Sequence, residues 1–294
     1  MKTTVNFHVW QPCNMRCQHC FARFLDVKQD RLPKGHLPKE EALEVVREIG
    51  RSIQGKISFA GGEPTLCPWL SDLIREAKNY GLITSIITNG TGVTEEFLIE
   101  NAGVLDWIAL SIDSLVPGTN EKIGRKVPGH PAPGQADYEE LAFKIKRLGY
   151  KLKINTVVSS LNYQENFHEF IRKVMPDRWK IFQVLEVKGQ NDREFGNMKI
   201  NNTQFHEFME RHRILSLFTE LAVEDNEDMR GSYLMVDPAG RFYDNIGERY
   251  RYSQPIHKVG FFEALHQVTF QEEKFIKRGG DYLWKSDPEM ISVS

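Results

Sequence analysis

Short stretches of alternating apolar and polar residues recur along this chain, and each is followed by apolar residues at helical spacing. Alternation places apolar side chains on one face of a β-strand, whereas spacings of three and four residues place them on one face of a helix. The predicted strands span residues 4–10, 56–60, 82–89, 106–113, 151–158 and 178–187, and the predicted helices begin near residues 40, 69, 94, 138 and 165.

This order of strand and helix predicts an α/β fold with a parallel sheet and right-handed crossovers. Six strand–helix units are fewer than the eight of a closed barrel, so we expect a partial (β/α)6 TIM-like barrel over residues 1–190. The pattern then changes to a helix at 203–215, a hairpin turning at Pro238–Gly240, and an irregular tail. We expect residues 191–294 to form a C-terminal extension that closes over the active site within a single structural unit.

Composition and charge exclude several classes of partner. The net charge of −2 provides no global basic field that would attract nucleic acid or a membrane surface. No apolar run approaches the ~20 residues of a membrane helix, and the N-terminus alternates like a strand instead of resembling a signal peptide. We therefore expect a cytoplasmic protein without nucleic-acid or membrane partners.

Three of the four cysteines, Cys13, Cys17 and Cys20, fall within eight residues directly after the first strand. A barrel's active-site loops lie at that end of the strands, and clustered cysteines in a reducing compartment indicate metal binding. Iron–sulfur clusters usually have four cysteine ligands, so three thiolates leave one iron open for chemistry. Two alternatives remain, namely a zinc site that adds His19 and an electron-transfer cluster that takes Cys67 as its fourth ligand.

Polar side chains share one face of several predicted strands. If helices cover the outside of the barrel, these polar faces point into its lumen. Cations gathered in one cavity repel each other unless an anion fills it, so the expected ligand is polyanionic, and a nucleoside triphosphate fits. The alternative is that each lysine lies at a strand end and extends into solvent. The inward residues include His8, Lys56, Lys153, Arg178 and Lys180.

A second cationic segment, Lys277-Arg278-Gly279-Gly280, lies near the C-terminus. Consecutive glycines allow backbone N–H groups to converge on phosphate oxygens, with the two cations beside them. By itself such a segment is more typical of a surface turn.

The cysteine spacing C-x3-C-x2-C, followed by an aromatic residue and by G-G-E-P after the second strand, resembles the radical S-adenosylmethionine superfamily. The resemblance implies a [4Fe–4S] cluster on the three cysteines, with S-adenosyl-L-methionine bound to the open iron. Further cofactor contacts are implied for the methionine amino group, the adenine, the ribose and the carboxylate. They fall on Phe21, Gly61, Gly62, Glu63, Thr88, Asn89 and Ser111.

Longer segments resemble the viperin family between residues 5 and 284. These are VNFH, KISFAGGEP, LSIDS, IGR, KLKINTVV, RWKIFQVLEVKGQN, GSYLMVD and FIKRGGDYLW. The resemblance implies contacts with a nucleoside triphosphate, although Arg125 is equally suited to the carboxylate of the cofactor. The implied contacts are Asn6, His8, Lys56, Arg125, Lys153, Asn155, Arg178, Lys180, Lys277 and Arg278.

Viperins imply a lyase-type reaction that removes water from the nucleotide and yields its 3′-deoxy-3′,4′-didehydro analogue, an antiviral chain terminator. Loss of the 3′-hydroxyl requires an acid, and the candidates are Tyr233 and Lys153. An electron donor such as flavodoxin or ferredoxin is also implied. Animal viperins carry an amphipathic membrane-binding helix before the core, whereas the first predicted strand here begins near residue 4, so we expect a soluble prokaryotic relative.

Two rival functions fit the sequence less well. Another radical enzyme, such as the GTP cyclase of molybdenum-cofactor synthesis, would need a second cysteine trio, yet no cysteine follows Cys67. A non-catalytic iron–sulfur or zinc protein that only binds nucleotide would have no need of the G-G-E-P segment. The nucleobase stays open among cytosine, uracil and guanine.

Overall fold

The computed structural model describes residues 1–27, 32 and 34–280. Its strands are β1 (Lys2–Trp10), β2 (Gln54–Gly61), β3 (Ile83–Thr88), β4 (Trp107–Ser111), β5 (Lys151–Val158), β6 (Arg178–Gln183), β7 (Glu220–Glu224), β8 (Leu234–Val236), β9 (Arg241–Asp244) and β10 (Arg251–Pro255). The last four residues of the FIKRGGDYLW segment, and the rest of the predicted extension after residue 280, lie outside the described residues.

From β1 to β6 each strand is followed by at least one helix, as the sequence predicted. The helices are α1 (Lys39–Ser52), α2 (Leu70–Asn79), α3 (Glu95–Glu100), α4 (Pro117–Ile123), α5 (Gln135–Arg147), α6 (His168–Val174), α7 (Asp192–Phe195), α8 (Asn202–His212), α9 (Asn226–Met229), α10 (Ile256–Val259), α11 (Phe261–Leu265) and α12 (Glu272–Lys277). None of the helices in the described residues is long and apolar enough to cross a membrane.

Within the described residues the strands form one ten-stranded sheet in the order β10-β9-β8-β1-β2-β3-β4-β5-β6-β7. All neighbours from β8 to β7 are parallel, while β9 and β10 are antiparallel. The predicted α/β class and partial barrel are confirmed. The parallel series is longer than predicted, because β7 extends it beyond β6 and β8 adds a strand beside β1.

The two faces of β1 show how the barrel divides apolar from polar residues. Val5 and Phe7 belong to one buried apolar cluster with Val46 and Ile49 of α1, so this face packs against the outer helices. The other face of the strand carries His8, which is buried on the opposite side. The predicted hairpin around Pro238–Gly240 forms between β8 and β9.

Helix α12 closes the lumen at the end where the strands begin. Its Phe275 is buried against Ile83 and Trp107, the first residues of β3 and β4. The cysteine loop follows the end of β1, so it lies at the opposite end of the barrel. The segment 117–123, between the predicted strand 106–113 and the predicted helix near residue 138, forms α4, with Pro117 in its first turn, where proline is well tolerated.

Candidate active site

The cysteine loop is held by backbone contacts on two sides. The Arg16 amide donates to the Gly124 carbonyl at 3.1 Å, and the Gln18 amide donates to the Ile123 carbonyl at 2.8 Å. At the start of the loop, the Gly62 amide donates to Trp10 at 2.5 Å. The loop is therefore clamped between the end of α4 and the end of β2.

Glycine is required where these clamps approach most closely. A Cβ at Gly62 would lie 2.2 Å from the Gln11 carbonyl oxygen, and a Cβ at Gly124 would lie 2.2 Å from that of Arg16. Gly124 also has φ of +85°, a conformation that other residues adopt only with strain. The G-G-E-P segment thus fits the backbone of the cysteine loop directly.

The three thiols of the loop lie in a partly buried setting that disfavours their thiolate forms. Burial, assisted by the mutual repulsion of the thiolates, raises the pKa of Cys13 and Cys17 to about 11. A cationic metal cluster would relieve that cost by stabilising the thiolates.

The side chain of Glu63 is fully buried and satisfied by the protein. Its carboxylate accepts the Thr88 hydroxyl at 2.6 Å, the Thr65 hydroxyl at 2.7 Å and the Asn89 amide at 2.7 Å. Burial raises its pKa, and these donors oppose the rise. The hydrogen bond between Glu63 and Thr88 therefore joins the ends of β2 and β3. Within the G-G-E-P segment, the Gly61–Gly62 backbone lies closest to the residues that lead into the cysteine loop.

Other predicted cofactor residues surround the same end of the barrel. Asn89 donates to the Asn14 side chain of the cysteine loop at 2.8 Å. Phe21 is partly exposed beside the loop, and its ring lies 5.9 Å from that of His8. Ser111 ends β4 in register with Asn155 of β5, so it faces the lumen at the end where the cysteine loop lies.

Arg125 lies with the cysteine loop and not with the lumen cations. Its Nε donates to Asp113 at 2.7 Å, and the charges of Asp113 and Cys17 favour its protonated form. Asp113 also contacts His19, whose Nε2 lies 3.3 Å from the carboxylate. His19 thus faces this buried pair, which makes it unsuited to a zinc site with the cysteines.

The predicted cations converge near the opposite end of the lumen. Lys153 pairs in register with Arg178, and Asn155 with Lys180, which places all four side chains on one face of β5 and β6. Lys56 approaches them from β2, and burial with the nearby charges of Lys153 and Arg178 lowers its pKa well below the usual value. Burial and Arg178 likewise lower the pKa of Lys153 to about 7.

A buried carboxylate that the sequence analysis missed lies in this cation group. Glu224, the last residue of β7, contacts Lys180, and it pairs with Arg278 at 2.9 Å. The Tyr233 hydroxyl donates to the same carboxylate and accepts from Lys180 Nζ at 2.7 Å. Acidic residues on an edge strand usually indicate a face exposed to solvent. Only the register of β7 with β6 shows that Glu224 lies on the same face of the sheet as Lys180.

A buried polar atom in the lumen lacks a protein partner. Among the described residues, Oδ1 of Asn155 makes no hydrogen bond although it is buried. The ring of His8, on β1, has the Gly61 backbone as a polar neighbour. Burial lowers the pKa of His8 to about 4, so its ring is neutral at working pH. Buried polar atoms of this kind are normally satisfied, which supports a polar ligand in the lumen.

The C-terminal cationic segment divides between pocket and surface. Arg278 reaches Glu224, whereas Lys277 is exposed on α12. The expectation that the glycine amides converge on phosphate is wrong for both, because Gly279 and Gly280 donate to Ile276 and Phe275 and close the last turn of α12. The Gly279 carbonyl instead accepts from Arg178 at 3.0 Å.

Comparisons with known proteins agree with this arrangement. The Radical SAM superfamily matches residues 9–174. An S-adenosylmethionine-dependent nucleotide dehydratase of Flammeovirga pacifica is 47% identical over 282 residues, which are 96% of each chain. Another, from Lacinutrix mariniflava, is 51% identical over 97% of this chain, which spans only 59% of the length of that relative.

Solved structures share the fold at low sequence identity. Streptococcus suis SuiB bound to S-adenosylmethionine has a TM-score of 0.69 with 16% identity, covering 94% of this chain and 67% of that one. The enzyme anSMEcpe with bound AdoMet has a TM-score of 0.65, also with 16% identity, covering 94% and 82% of the two chains.

The superfamily match shows that the cofactors are a [4Fe–4S] cluster and S-adenosylmethionine. The resemblance noted in the sequence is confirmed over nearly the whole chain. The chain therefore belongs to the radical SAM superfamily and, within it, to the viperin family of S-adenosylmethionine-dependent nucleotide dehydratases.

Proposed function

We propose that this enzyme removes water from a ribonucleoside triphosphate and forms its 3′-deoxy-3′,4′-didehydro analogue. The observation that carries the proposal is the group of buried cations at one end of the lumen, opposite the cysteine loop. An elongated anion bound there would direct its ribose toward the cofactor end of the barrel. The dehydratase names of the relatives support a nucleotide as that anion.

The residues divide into a cofactor group and a substrate group. When bound, the reduced cluster and S-adenosylmethionine supply a 5′-deoxyadenosyl radical that removes hydrogen from the ribose. The Gly61–Gly62 backbone and Arg125 lie beside the cysteine loop, which favours a cofactor role for Arg125. The substrate group would neutralise the triphosphate with Lys56, Lys153, Arg178, Lys180 and Arg278.

Departure of the 3′-hydroxyl as water needs a proton, and two residues are placed to supply it. Lys153, with its pKa near 7, can release a proton at neutral pH. The Tyr233 hydroxyl lies between Lys180 and Glu224, and Lys180, which donates to it, can return a proton to it. One electron starts the reaction and a second completes the alkene, so we propose flavodoxin or ferredoxin as the donor.

Residues after 190 are part of the proposed active site. Glu224, Tyr233 and Arg278 all come from this region. Glu224 and Tyr233 contact Lys180 of the barrel, and Arg278 pairs with Glu224. We therefore propose that residues 1–190 form the barrel and that the extension closes it as one structural unit.

An anaerobic turnover assay tests this function. Reconstituted protein, dithionite and S-adenosylmethionine are incubated with each of the four ribonucleoside triphosphates, and the products are analysed by mass spectrometry. We expect one triphosphate to increase 5′-deoxyadenosine release and to lose the mass of water. The matched 3′-deoxynucleoside triphosphate should give no such product. Slow 5′-deoxyadenosine release with every triphosphate unchanged would reject the proposed substrate class.

A further inference from the structure

Glu224 is a carboxylate in a pocket that otherwise collects cations, and phosphate binding alone does not explain its presence. Its side chain is fully buried. The carboxylate contacts Lys180, lies 2.9 Å from Arg278, and accepts the Tyr233 hydroxyl. It therefore joins β6, the residue before β8, and the residue that follows α12.

Tyr233 also contacts the other two partners of Glu224. Lys180 donates to the Tyr233 hydroxyl at 2.7 Å, and the Arg278 guanidinium lies 3.8 Å from the centre of the Tyr233 ring. In this arrangement the Tyr233 hydroxyl has a defined donor and a defined acceptor. A buried lysine beside other cations, by contrast, keeps its proton only if an anion is near.

We propose that Glu224 is a positioning residue of the phosphate pocket, which keeps Lys180 charged and the Tyr233 hydroxyl aligned before the nucleotide arrives. This inference rests on the proposed function, since it assumes that a triphosphate enters the lumen. Glu224 acts through Lys180 and Tyr233 and need not touch the nucleotide itself.

The charges around Glu224 set the direction of the effect. The groups that face it are Lys180 and Arg178 on β6, Lys153 on β5, Arg278 after α12, and Tyr233 before β8, with Glu220 on its own strand. Burial favours protonation of Glu224, but Lys180 and Arg278 outweigh it and lower its pKa to about 2. The carboxylate is therefore a fixed negative charge at working pH.

Lys180 depends on that fixed charge. Burial lowers the pKa of Lys180 well below its usual value, and Glu224 opposes the fall, while Arg278 and Lys153 add to it. A lysine is charged below its pKa, so removing the carboxylate would leave Lys180 neutral from a lower pH upward. If an anion binds only to the charged form, Lys180 would then take up a proton when the anion binds. The affinity for the anion would therefore fall as the pH rises.

The test is to titrate the protein with tripolyphosphate between about pH 6 and pH 9, a range that brackets the neutral region. Glu224→Gln should make the Kd rise more steeply with pH than in the wild type, by up to about tenfold per pH unit for one extra linked proton. Glu224→Asp should restore the wild-type slope. The titration of the probe is common to all variants, so it cancels in the comparison.

Glu220→Gln is the matched control on the same strand. Glu220 is half-exposed and pairs with Arg178, whose guanidinium does not titrate in this range. Glu220 also raises the pKa of Lys153, but less than Glu224 does, so the slope should change less than in Glu224→Gln, whatever the change in Kd. In the double variant Lys180→Arg with Glu224→Gln, the permanent charge of arginine should return the slope toward that of the wild type.

The outcomes separate this inference from the proposed function. Folded Glu224→Gln protein whose Kd follows the wild-type pH slope would overturn the role of Glu224. If Glu224→Gln does not fold, the double variant decides, since a steep slope there overturns the role as well. Wild-type protein that binds neither tripolyphosphate nor any ribonucleoside triphosphate contradicts the proposed function itself.

Discussion

The cysteine loop and the cation pocket are two ends of one lumen, and they are built in different ways. The cysteines come from eight consecutive residues that are clamped by backbone contacts to Gly62 and Gly124. The pocket combines charged side chains from separate strands and from the end of α12, and each of them shifts the pKa of its neighbours. Loss of the backbone fit should abolish the cofactor chemistry, whereas loss of one charge should weaken nucleotide binding by a limited factor.

The largest effect is expected from Cys17→Ala. With two thiolates left on the loop, the cluster should be lost, and with it 5′-deoxyadenosine release should fall to background. Nucleotide binding in the lumen should persist, because the cations lie at the other end of the barrel. Iron content, 5′-deoxyadenosine release and calorimetric nucleotide binding measure the three quantities.

Cys67→Ala is the control for that variant. Cys67 is buried in the apolar core beside the G-G-E-P segment and is not part of the loop. It should keep full iron content and lose only about 1 kcal/mol of stability. Loss of nucleotide binding in Cys17→Ala would show that the two ends do not act independently.

Gly62→Ala should have the next largest effect. The added Cβ would lie 2.2 Å from the Gln11 carbonyl oxygen and 2.4 Å from that of Pro12, and neither backbone atom can move without displacing the loop. A displacement near 1 Å at a reacting centre costs about 10²-fold in rate. The rate of 5′-deoxyadenosine release in the presence of nucleotide measures the loss.

A glycine with open space around it provides the comparison. In α4, a Cβ at Gly118 would meet nothing within 4 Å, so Gly118→Ala should stabilise the protein by about 0.5–1 kcal/mol and leave the rate unchanged. Equal rates for Gly62→Ala and Gly118→Ala would mean that the close approach of β2 to the loop is not needed for catalysis.

At the other end of the lumen, Lys153→Met should weaken binding without preventing cofactor cleavage. A hydrogen bond to a charged phosphate contributes about 1.5–3 kcal/mol, so the Kd for the nucleotide should rise about 10- to 100-fold. Slow 5′-deoxyadenosine release without nucleotide should continue at the wild-type rate. Lys151→Met is the control, because Lys151 begins the same strand in a partly exposed ion pair with Asp177. A smaller increase for Lys153→Met than for Lys151→Met would remove Lys153 from the pocket.

Sequence patterns predicted much of both ends, for different physical reasons. The cysteine loop is a continuous motif, so its neighbours along the chain already define it. The lumen cations were predicted from alternation, because inward and outward faces differ in polarity over the length of a strand. Strand β7 was missed since its five residues, Glu220–Glu224, carry acidic side chains at both ends and an apolar centre.

Pairings between distant residues could not be predicted in this way. The alternation does not reveal that Glu224 faces Lys180, because that contact depends on the register of β7 with β6. The resemblance left two roles open for Arg125, and the structure pairs it with Asp113 near Cys17. Such contacts follow from how elements far apart in sequence come together.

The smallest predicted effect concerns Lys153, which can both bind phosphate and donate a proton only if its charge changes near neutral pH. Burial and Arg178 lower the pKa of Lys153 to about 7, so its charge is lost as the pH rises through that value. The kcat/KM for nucleotide, which reports the free enzyme, should therefore fall by up to about tenfold per pH unit above neutrality. The pH profile of nucleotide-independent 5′-deoxyadenosine release serves as the baseline.

Lys153→Arg separates the two roles of this lysine. Arginine stays charged and binds phosphate well, but it does not release a proton in this range. If Lys153 only binds phosphate, the variant should keep the kcat of the wild type and lose the fall in kcat/KM above neutrality. If Lys153 is the acid, the variant should bind nucleotide but dehydrate it slowly at every pH, while Tyr233→Phe should retain most of the rate. A wild-type profile that stays flat to about pH 9, well below the ordinary lysine pKa, would mean that the lumen does not depress the pKa of Lys153.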